Sequence, residues 1–511
     1  MSINRREVLR WMGGTCSAIA MSRFARARAA AANPFQPTRS SLRSYQVPEW
    51  FRDAKFGIWS HWGPQSAIED GDWYARLMYQ QGSDQYKYHV STYGHPSKVG
   101  YKDLVNIWHA DKWDADHLMN LYKKAGARYF FSMGVHHDNF DLWDSKYTRW
   151  NAVNMGPKKD VVGIWQKAAQ KQGLRFGVSE HLWISYKWFA VSHGADKTGA
   201  LAGVPYDGVD PNFADLYHDA ECARFVDKLD WNDDGIPESW KKHYLDRLTD
   251  LIDKYQPDML YTDGHLPFEE YGMKVVSHLY NVSAEKHGGK TEAVYMSKEN
   301  SDCAIGSCLL DHERGVAEAI SANPWQTDTC IGQWHYKRGQ QYKSAKKVID
   351  LLVDIVSKNG NLLLNFPLPN SGELDPNEMR TLDGITAWME VNSEGIYGTR
   401  PWKIYGEGPA TQQKIEPGNF NEDKQKDLTG EDIRFTRKGN TVYAFVMGKP
   451  EIAEVNALGL WGAQNAGKIG RVQILGRGEE VQWVQDNEAL RVKIPAELTS
   501  EIGLTLKVDL A

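Results

Sequence analysis

The sequence predicts an α/β protein, a (β/α)8-like barrel of the TIM type followed by an antiparallel β-sandwich. Three observations predict it. Five apolar runs between Lys55 and Glu299 (KFGIWSHW, ARYFFSMGVHH, LRFGVSEH, DMLYTDG and AVYMSKE) each stop on a cluster of polar side chains, and parallel strands, covered on both faces, read as near-continuous apolar stretches. The segments between these runs are helix-like, amphipathic and long enough for crossovers. After Thr399-Arg400-Pro401-Trp402 the texture changes to short alternating runs separated by Gly, Asn and Asp, the pattern of a sandwich.

Taken in order, residues 1–32 stand apart from the fold. Arg5 and Arg6 lead into a short, mildly apolar stretch, Trp11 to Met21, that ends in small residues such as Ala25, Ala27 and Ala29. This resembles a twin-arginine export signal and is far below the roughly 20 residues needed to span a bilayer. A periplasmic or secreted protein is therefore expected. The barrel is placed at 33–398, with helices expected over 112–125, 164–173, 240–255, 342–358 and 385–394. Trp240, Tyr244, Leu245, Leu248, Leu251 and Ile252 recur at three- and four-residue spacings, giving one apolar face directly before the run that ends in Asp263. The sandwich is placed at 399–511, on runs such as DIRFTRKGNTVYAFVMG and IGLTLKVDL.

With 41% hydrophobic and 25% charged residues and a formal charge of −6, the 511-residue chain has a globular composition with no basic stripe suited to phosphates. Nucleic acid is excluded as an expected partner, and so is a membrane span. Twenty Trp and 24 Tyr supply many flat apolar faces, which suit a core or the C–H faces of sugars equally well.

Barrel chemistry collects at the carboxyl ends of the strands, where the chain places His61, His136, His137, Glu180, His181, Asp263 and Glu299. Asp263 follows Met259-Leu260-Tyr261-Thr262 and precedes Gly264, so a carboxylate is held at a strand end beside a residue that permits close approach. Such a group serves as nucleophile, base or metal ligand. His136 and His137 are adjacent and lack a helical H-x-x-x-H spacing, so no catalytic metal is expected. Glycoside hydrolysis needs a second carboxylate. Glu313, in a Gly-rich stretch read as a loop over the pocket, is the leading candidate, and Glu299 competes with it. Asp230, Asn232 and Asp234, with Gly235 following, resemble the first half of a calcium loop, but Lys241 stands where an EF-hand has its bidentate Glu. A solvated acidic loop ahead of a helix explains the same residues. Cys303 with Cys308 is one candidate disulfide, though spacing alone leaves the connectivity open.

Together these residues carry a resemblance. Phe56-Gly57-Ile58 running into His61-Trp62-Gly63, Asp72-Trp73-Tyr74, His136-His137-Asp138-Asn139-Phe140 and Trp143-Asp144-Ser145 are similar to the α-L-fucosidases of glycoside hydrolase family 29. The likeness continues through Tyr261-Thr262-Asp263-Gly264, Trp325 to Ile331, Trp334-His335-Tyr336, Gly360 to Asn365 and Ile396 to Trp402.

The resemblance implies an exo-acting, retaining hydrolase on a barrel and sandwich, using no cofactor, with a fucosylated oligosaccharide or glycoconjugate as substrate. It implies Asp263 as nucleophile and His61, His136, His137 and Trp73 as sugar contacts, with Trp62, Asp72, Tyr261, Arg314 and Trp325 expected beside them. Three departures stand out. Asp72 shortens the family's usual Glu by one methylene, Leu364-Asn365-Phe366-Pro367 replaces a commoner Leu-Asn-Ile-Gly-Pro, and Gln326 follows Trp325 where many members carry the acid/base Glu. An amide cannot deliver that proton, so the acid/base role falls to Glu313. An α-L-galactosidase-like enzyme of the same fold and a non-catalytic fucose-binding protein are the alternatives.

Overall fold

The computed structural model describes residues 34–511 apart from residues 305, 417, 479, 480 and 499–501. The expected export segment lies outside the described residues. Eight parallel strands close into a barrel in chain order: β1 Phe56–Ser60, β2 Tyr129–Val135, β3 Arg175–Glu180, β4 Met259–Thr262, β5 Val294–Ser297, β6 Leu309–Glu313, β7 Trp325–Cys330 and β8 Gly360–Asn365. Closure runs through β1 and β8, where Ile58 faces Leu364 and Trp59 faces Asn365. β1, β2, β4, β5, β7 and β8 are buried throughout. This is why all of these but β7 read as apolar runs rather than alternating ones.

Helices Ala115–Lys124, Val161–Lys171, Glu238–Tyr255, Glu270–Lys286 and Ala345–Ser357 make the crossovers. In the helix Glu238–Tyr255 the expected stripe of Trp240, Tyr244, Leu248, Leu251 and Ile252 is buried, while Leu245 is only partly so. The last helix of the barrel region, Pro376–Asn392, begins nine residues before the expected start. Asp375 caps it, accepting from the Asn377 and Glu378 amides while the Glu378 side chain returns to the Asp375 N–H, and Pro376 takes the first helical position. No helix of the described residues is long and apolar enough to cross a membrane.

Two strands depart from the sequence reading. Glu313 is the last residue of β6, not part of a loop. β7 reads WQTDTC, too polar to announce itself, because Gln326 and Asp328 find buried hydrogen-bond partners within the barrel.

Antiparallel strands begin with β9, Arg400–Glu407. A five-stranded sheet has the order β13 (Ile469–Ile474), β16 (Leu504–Leu510), β11 (Thr441–Val446), β10 (Ile433–Lys438), β9. A three-stranded sheet, β12 (Ile452–Val455), β15 (Leu490–Lys493), β14 (Trp483–Gln485), shares one apolar core with it, including Phe435, Ala444, Val472, Leu490 and Leu506. The sandwich reaches the barrel through a buried ion group, in which Arg434 Nε donates to Asp354 Oδ1 (2.7 Å) and Lys358 Nζ to Asp354 Oδ2 (2.7 Å). Trp388 Nε1 also donates to the Gly503 carbonyl (3.2 Å).

Candidate active site

A cavity of about 770 Å³ opens among residues at the carboxyl ends of the barrel strands. Its lining includes His61, Asp72, Trp73, His136, Tyr261, Asp263, Glu299, Glu313 and Arg314 from the expected set, with His181 and Lys298. This is where barrel strands deliver chemistry.

Asp263 leaves β4 with its N–H donating to the Glu180 carbonyl (3.0 Å), and its own carbonyl accepts from Trp183 Nε1 (2.6 Å). Gly264 follows at φ +128°, in the region that favours glycine, and a Cβ there would stand 2.9 Å from the Trp183 ring. The main chain around the carboxylate is thereby fixed from both sides. A carboxylate only accepts hydrogen bonds, so His181 donates from Nδ1 to Asp263 Oδ2 (2.9 Å), and His137 Nε2 lies 3.3 Å from the same oxygen. Lys298 Nζ donates to the other oxygen, Oδ1. Burial pushes the Asp263 carboxyl up, but Lys298, His181 and His137 outweigh it and hold the group well below the usual carboxylate range.

Glu313 meets the same ammonium. Lys298 Nζ donates to Glu313 Oε2 and Trp334 Nε1 donates to Oε1 (3.1 Å). Burial is the largest influence here, and the neighbouring Asp328 and Asp263 add to it, so that despite Lys298 the group is pushed up to about 7. The two carboxyls therefore sit in one pocket with their proton affinities driven apart. Glu299 stands exposed at the rim and begins the short helix Asn300–Cys303. Cys303 and Cys308 form a disulfide in the connection from β5 to β6.

Below them lies an acid pair absent from the sequence reading. Burial raises both Asp311 and Asp328, and the neighbouring Asp328 carboxylate raises Asp311 further. Tyr261 donates from its hydroxyl to Asp328 Oδ2 (3.0 Å), which places the expected sugar contact Tyr261 at the floor.

The opposite wall is built of imidazoles. Gln65 accepts from the Ala75 amide at Oε1 and so donates from Nε2 to His136 Nδ1 (2.8 Å), which leaves the His136 proton on Nε2. His335 donates from Nδ1 to Asp72 Oδ1 (2.6 Å). Both nitrogens of His61, together with Nε2 of His181 and of His335, are buried without a partner. Burial holds His61 and His136 well below the usual imidazole range and His181 at about 4, so these rings are neutral and offer both donors and acceptors. Donor atoms of His61, Asp72, His136 and His335 lie within 4.8 Å of one another, as do those of His136, His137 and His181. A transition metal would suit such groups, yet the same unpartnered, neutral nitrogens suit a polyhydroxylated ring.

Two expected contacts belong elsewhere. Trp62 is buried against Trp108 and Trp113 and donates to the Pro369 carbonyl (2.9 Å). Trp325 lies with Gly360 and donates to the Lys358 carbonyl (3.0 Å), away from the cavity. Trp62 lies two residues beyond the end of β1 and Trp325 opens β7 at its amino end, so each indole packs outside the cavity although neighbours in its motif line it. In the loop read as a weak calcium site, Asn232 accepts the Lys187 ammonium at its carbonyl (2.9 Å) and at Oδ1 (2.7 Å), while Asp230 pairs with Lys228.

The profile described as Alpha-L-fucosidase matches residues 22–394, and that of the Alpha-L-fucosidase C-terminal domain matches 425–509. The chain belongs to the α-L-fucosidase family. It is a glycoside hydrolase. The tissue α-L-fucosidase of Rattus norvegicus is 24% identical over 499 residues, covering 95% of this chain and 94% of the relative. The tissue α-L-fucosidase of Homo sapiens is 24% identical, covering 93% and 91%. Among solved structures, the Thermotoga maritima α-fucosidase in complex with fucose superposes with a TM-score of 0.68 at 28% identity, covering 93% of this chain and 99% of that one. The same enzyme with a mechanism-based inhibitor gives 0.70 at 27%, covering 93% and 100%.

Within the α-L-fucosidase family framework, Gln326 is explained by its surroundings. It donates from Nε2 to Asp311 Oδ2 (2.7 Å) and accepts from the Tyr129 hydroxyl (3.0 Å) inside the barrel, remote from the cavity lining. The sequence reading missed Lys298, although it follows the AVYMS run directly, because a lone lysine beside Glu299 reads as a surface pair. It also passed over Asp311 and Asp328, whose roles exist only once β6 and β7 are neighbours.

Proposed function

We propose that the chain is an exo-acting, retaining α-L-fucosidase that releases terminal α-L-fucose from a fucosylated glycan by double displacement. The observation that carries this is the single ammonium touching two carboxyls of opposite proton affinity. One nitrogen in hydrogen-bond contact with both limits the gap between their nearest oxygens to about 5 Å, near the roughly 5–5.5 Å that direct nucleophilic attack requires and short of the separation that leaves room for a water. Asp263, kept ionised, attacks the anomeric carbon. Glu313, kept protonated near neutrality, delivers its proton to the departing oxygen and then accepts one from the water that frees the sugar.

In this reading the neutral nitrogens of His61, His136 and His181, with Nε2 of His335, take the ring hydroxyls, Asp72 acts through His335, and Trp73 offers its face to the 6-deoxy side of the sugar. No cofactor enters, and the loop at Asp230, Asn232 and Asp234 needs no calcium. The export segment directs the protein to the periplasm or beyond. The test is hydrolysis of p-nitrophenyl α-L-fucoside followed by NMR, in which α-L-fucose is the first anomer expected. Asp263→Ala should lose kcat by on the order of 10⁴-fold with an unchanged circular dichroism spectrum. First release of the β-anomer, or activity surviving in Asp263→Ala, would overturn the reading.

A further inference from the structure

Two aromatic rings at the mouth of the cavity are left uncovered. Trp231 is 47% exposed and Phe420 is 61% exposed, and both line the cavity with Asp263 and Glu313. They come from different directions. Trp231 belongs to the connection from β3 to β4, whereas Phe420 belongs to the segment joining β9 to β10 and sits on the end of β6, its N–H donating to the Glu313 carbonyl (2.7 Å). In the closed ring of eight strands the two rings therefore reach the same mouth from separate stretches of its rim.

Neither ring is exposed for want of anchorage. Beside Phe420, Asn421 accepts from the Val316 amide (2.7 Å) and donates to the Val316 and Glu416 carbonyls. Glu422, buried, accepts from Thr329 Oγ1 (2.8 Å) and pairs with Lys343 (2.9 Å). Phe420 itself is held at φ +55°, a conformation that costs a non-glycine residue on the order of 1 kcal/mol. Beside Trp231, Lys187 holds Asn232, while Asp233 accepts from the Phe268 amide (2.7 Å) and meets His265 (3.0 Å). The inner side of the Trp231 ring packs on Trp73 and His137. Each ring is thus an uncovered aromatic on a backbone fixed by polar groups, an arrangement that costs free energy in the empty protein and favours a flat, partly apolar occupant.

We infer that Trp231 and Phe420 form a clamp for the first sugar of the leaving group, stacking on its C–H faces, so that the segment preceding β10 is the wall that selects the aglycone. This rests on the reading of Asp263 and Glu313 given above. The occupant is a pyranose, because Gln333, Glu299 and Arg314 line the same mouth with donors and acceptors for its hydroxyls.

The test compares two substrates, α-L-fucosyl fluoride, whose leaving group carries no ring, and whichever α-L-fucosyl disaccharide the native enzyme cleaves fastest. In Phe420→Ala the ratio of kcat/KM for the disaccharide over that for the fluoride should fall about tenfold, the equivalent of about 1.4 kcal/mol of aglycone binding in the transition state. Phe420→Tyr should restore it. Trp231→Ala should lower the same ratio, and using a ratio cancels any disturbance it passes to His137. An unchanged ratio in the Phe420→Ala, Trp231→Ala double variant would overturn the clamp, as would an equal loss on both substrates in Phe420→Ala. A native enzyme inert towards both substrates would instead overturn the fucosidase reading, and the clamp with it.

Discussion

Asp263 and Glu313 share one cation. The Lys298 ammonium donates to Asp263 Oδ1 and to Glu313 Oε2, so two groups 50 positions apart in the chain are joined by a residue that neither strand end announces. The sharing is unequal. Asp263 also has His181 and His137 and is held ionised, whereas Glu313 has burial and neighbouring carboxylates and is held protonated up to about 7. A nucleophile and a proton donor can then coexist at one pH.

Glu313 should set the alkaline limb of activity. Its folded value of about 7 means that the proton is present below that pH and lost above it, so kcat/KM is expected to fall as pH rises through about 7. Glu313→Ala should remove that limb with α-L-fucosyl fluoride and lose far less rate on it than on a fucosyl disaccharide, since fluoride needs little protonation. A pH–rate series on both substrates checks this, and equal losses on the two would assign the acid elsewhere, with Glu299 the next residue to test.

Lys298 lowers the proton affinity of both carboxyls, so Lys298→Met should raise both. The acid limb, which reports Asp263, is expected to move up because burial is then opposed only by His181 and His137, and the alkaline limb should move up with it. The whole bell shifts towards alkaline pH. A profile that keeps its position while only its height falls would limit Lys298 to a packing role.

Glu180 gives a prediction about stability. Its carboxyl accepts from Thr262 Oγ1 (2.7 Å), the Tyr244 hydroxyl (2.9 Å) and the Leu182 amide (2.9 Å), and burial, only partly offset by these, raises it to about 7. The folded protein therefore holds a proton there that the unfolded chain releases near 4.5. Stability from this group is fully present below about 4.5 and is lost as pH rises through about 7, at most about 3 kcal/mol. Urea unfolding of Glu180→Gln at pH 5 and pH 8 should show a smaller difference between the two than the native protein shows.

Arg434 fastens the sandwich to the barrel. Arg434→Met leaves Asp354 buried with Lys358 as its remaining cation, and the loss is expected to be about 3 kcal/mol, measured by urea unfolding. Replacing the pair together, Arg434→Met with Asp354→Leu, should cost less than the single change, because no carboxylate is then left short of a partner.

By itself the sequence determined the barrel class, the crossover helices and the position of Asp263. These depend on periodicities that local residues impose: runs covered on both faces, amphipathic stripes, and a Gly following a strand-end carboxylate. It also carried the motifs that resemble the α-L-fucosidases, and with them most of the histidine wall. Tertiary structure alone decided the rest. β7 was illegible because Gln326 has no partners until β6 and β2 supply them, and Asp328 none until β4 brings Tyr261. Trp62 and Trp325 sit in the same motifs as true lining residues, and only what each indole packs on in the folded chain separates them. Lys298 and Phe420 reach Glu313 across 15 and 107 positions of chain. No local pattern encodes such a meeting, because the free energy of a shared charge or of two rings brought to one mouth exists only after the barrel has closed and the sandwich has docked against it.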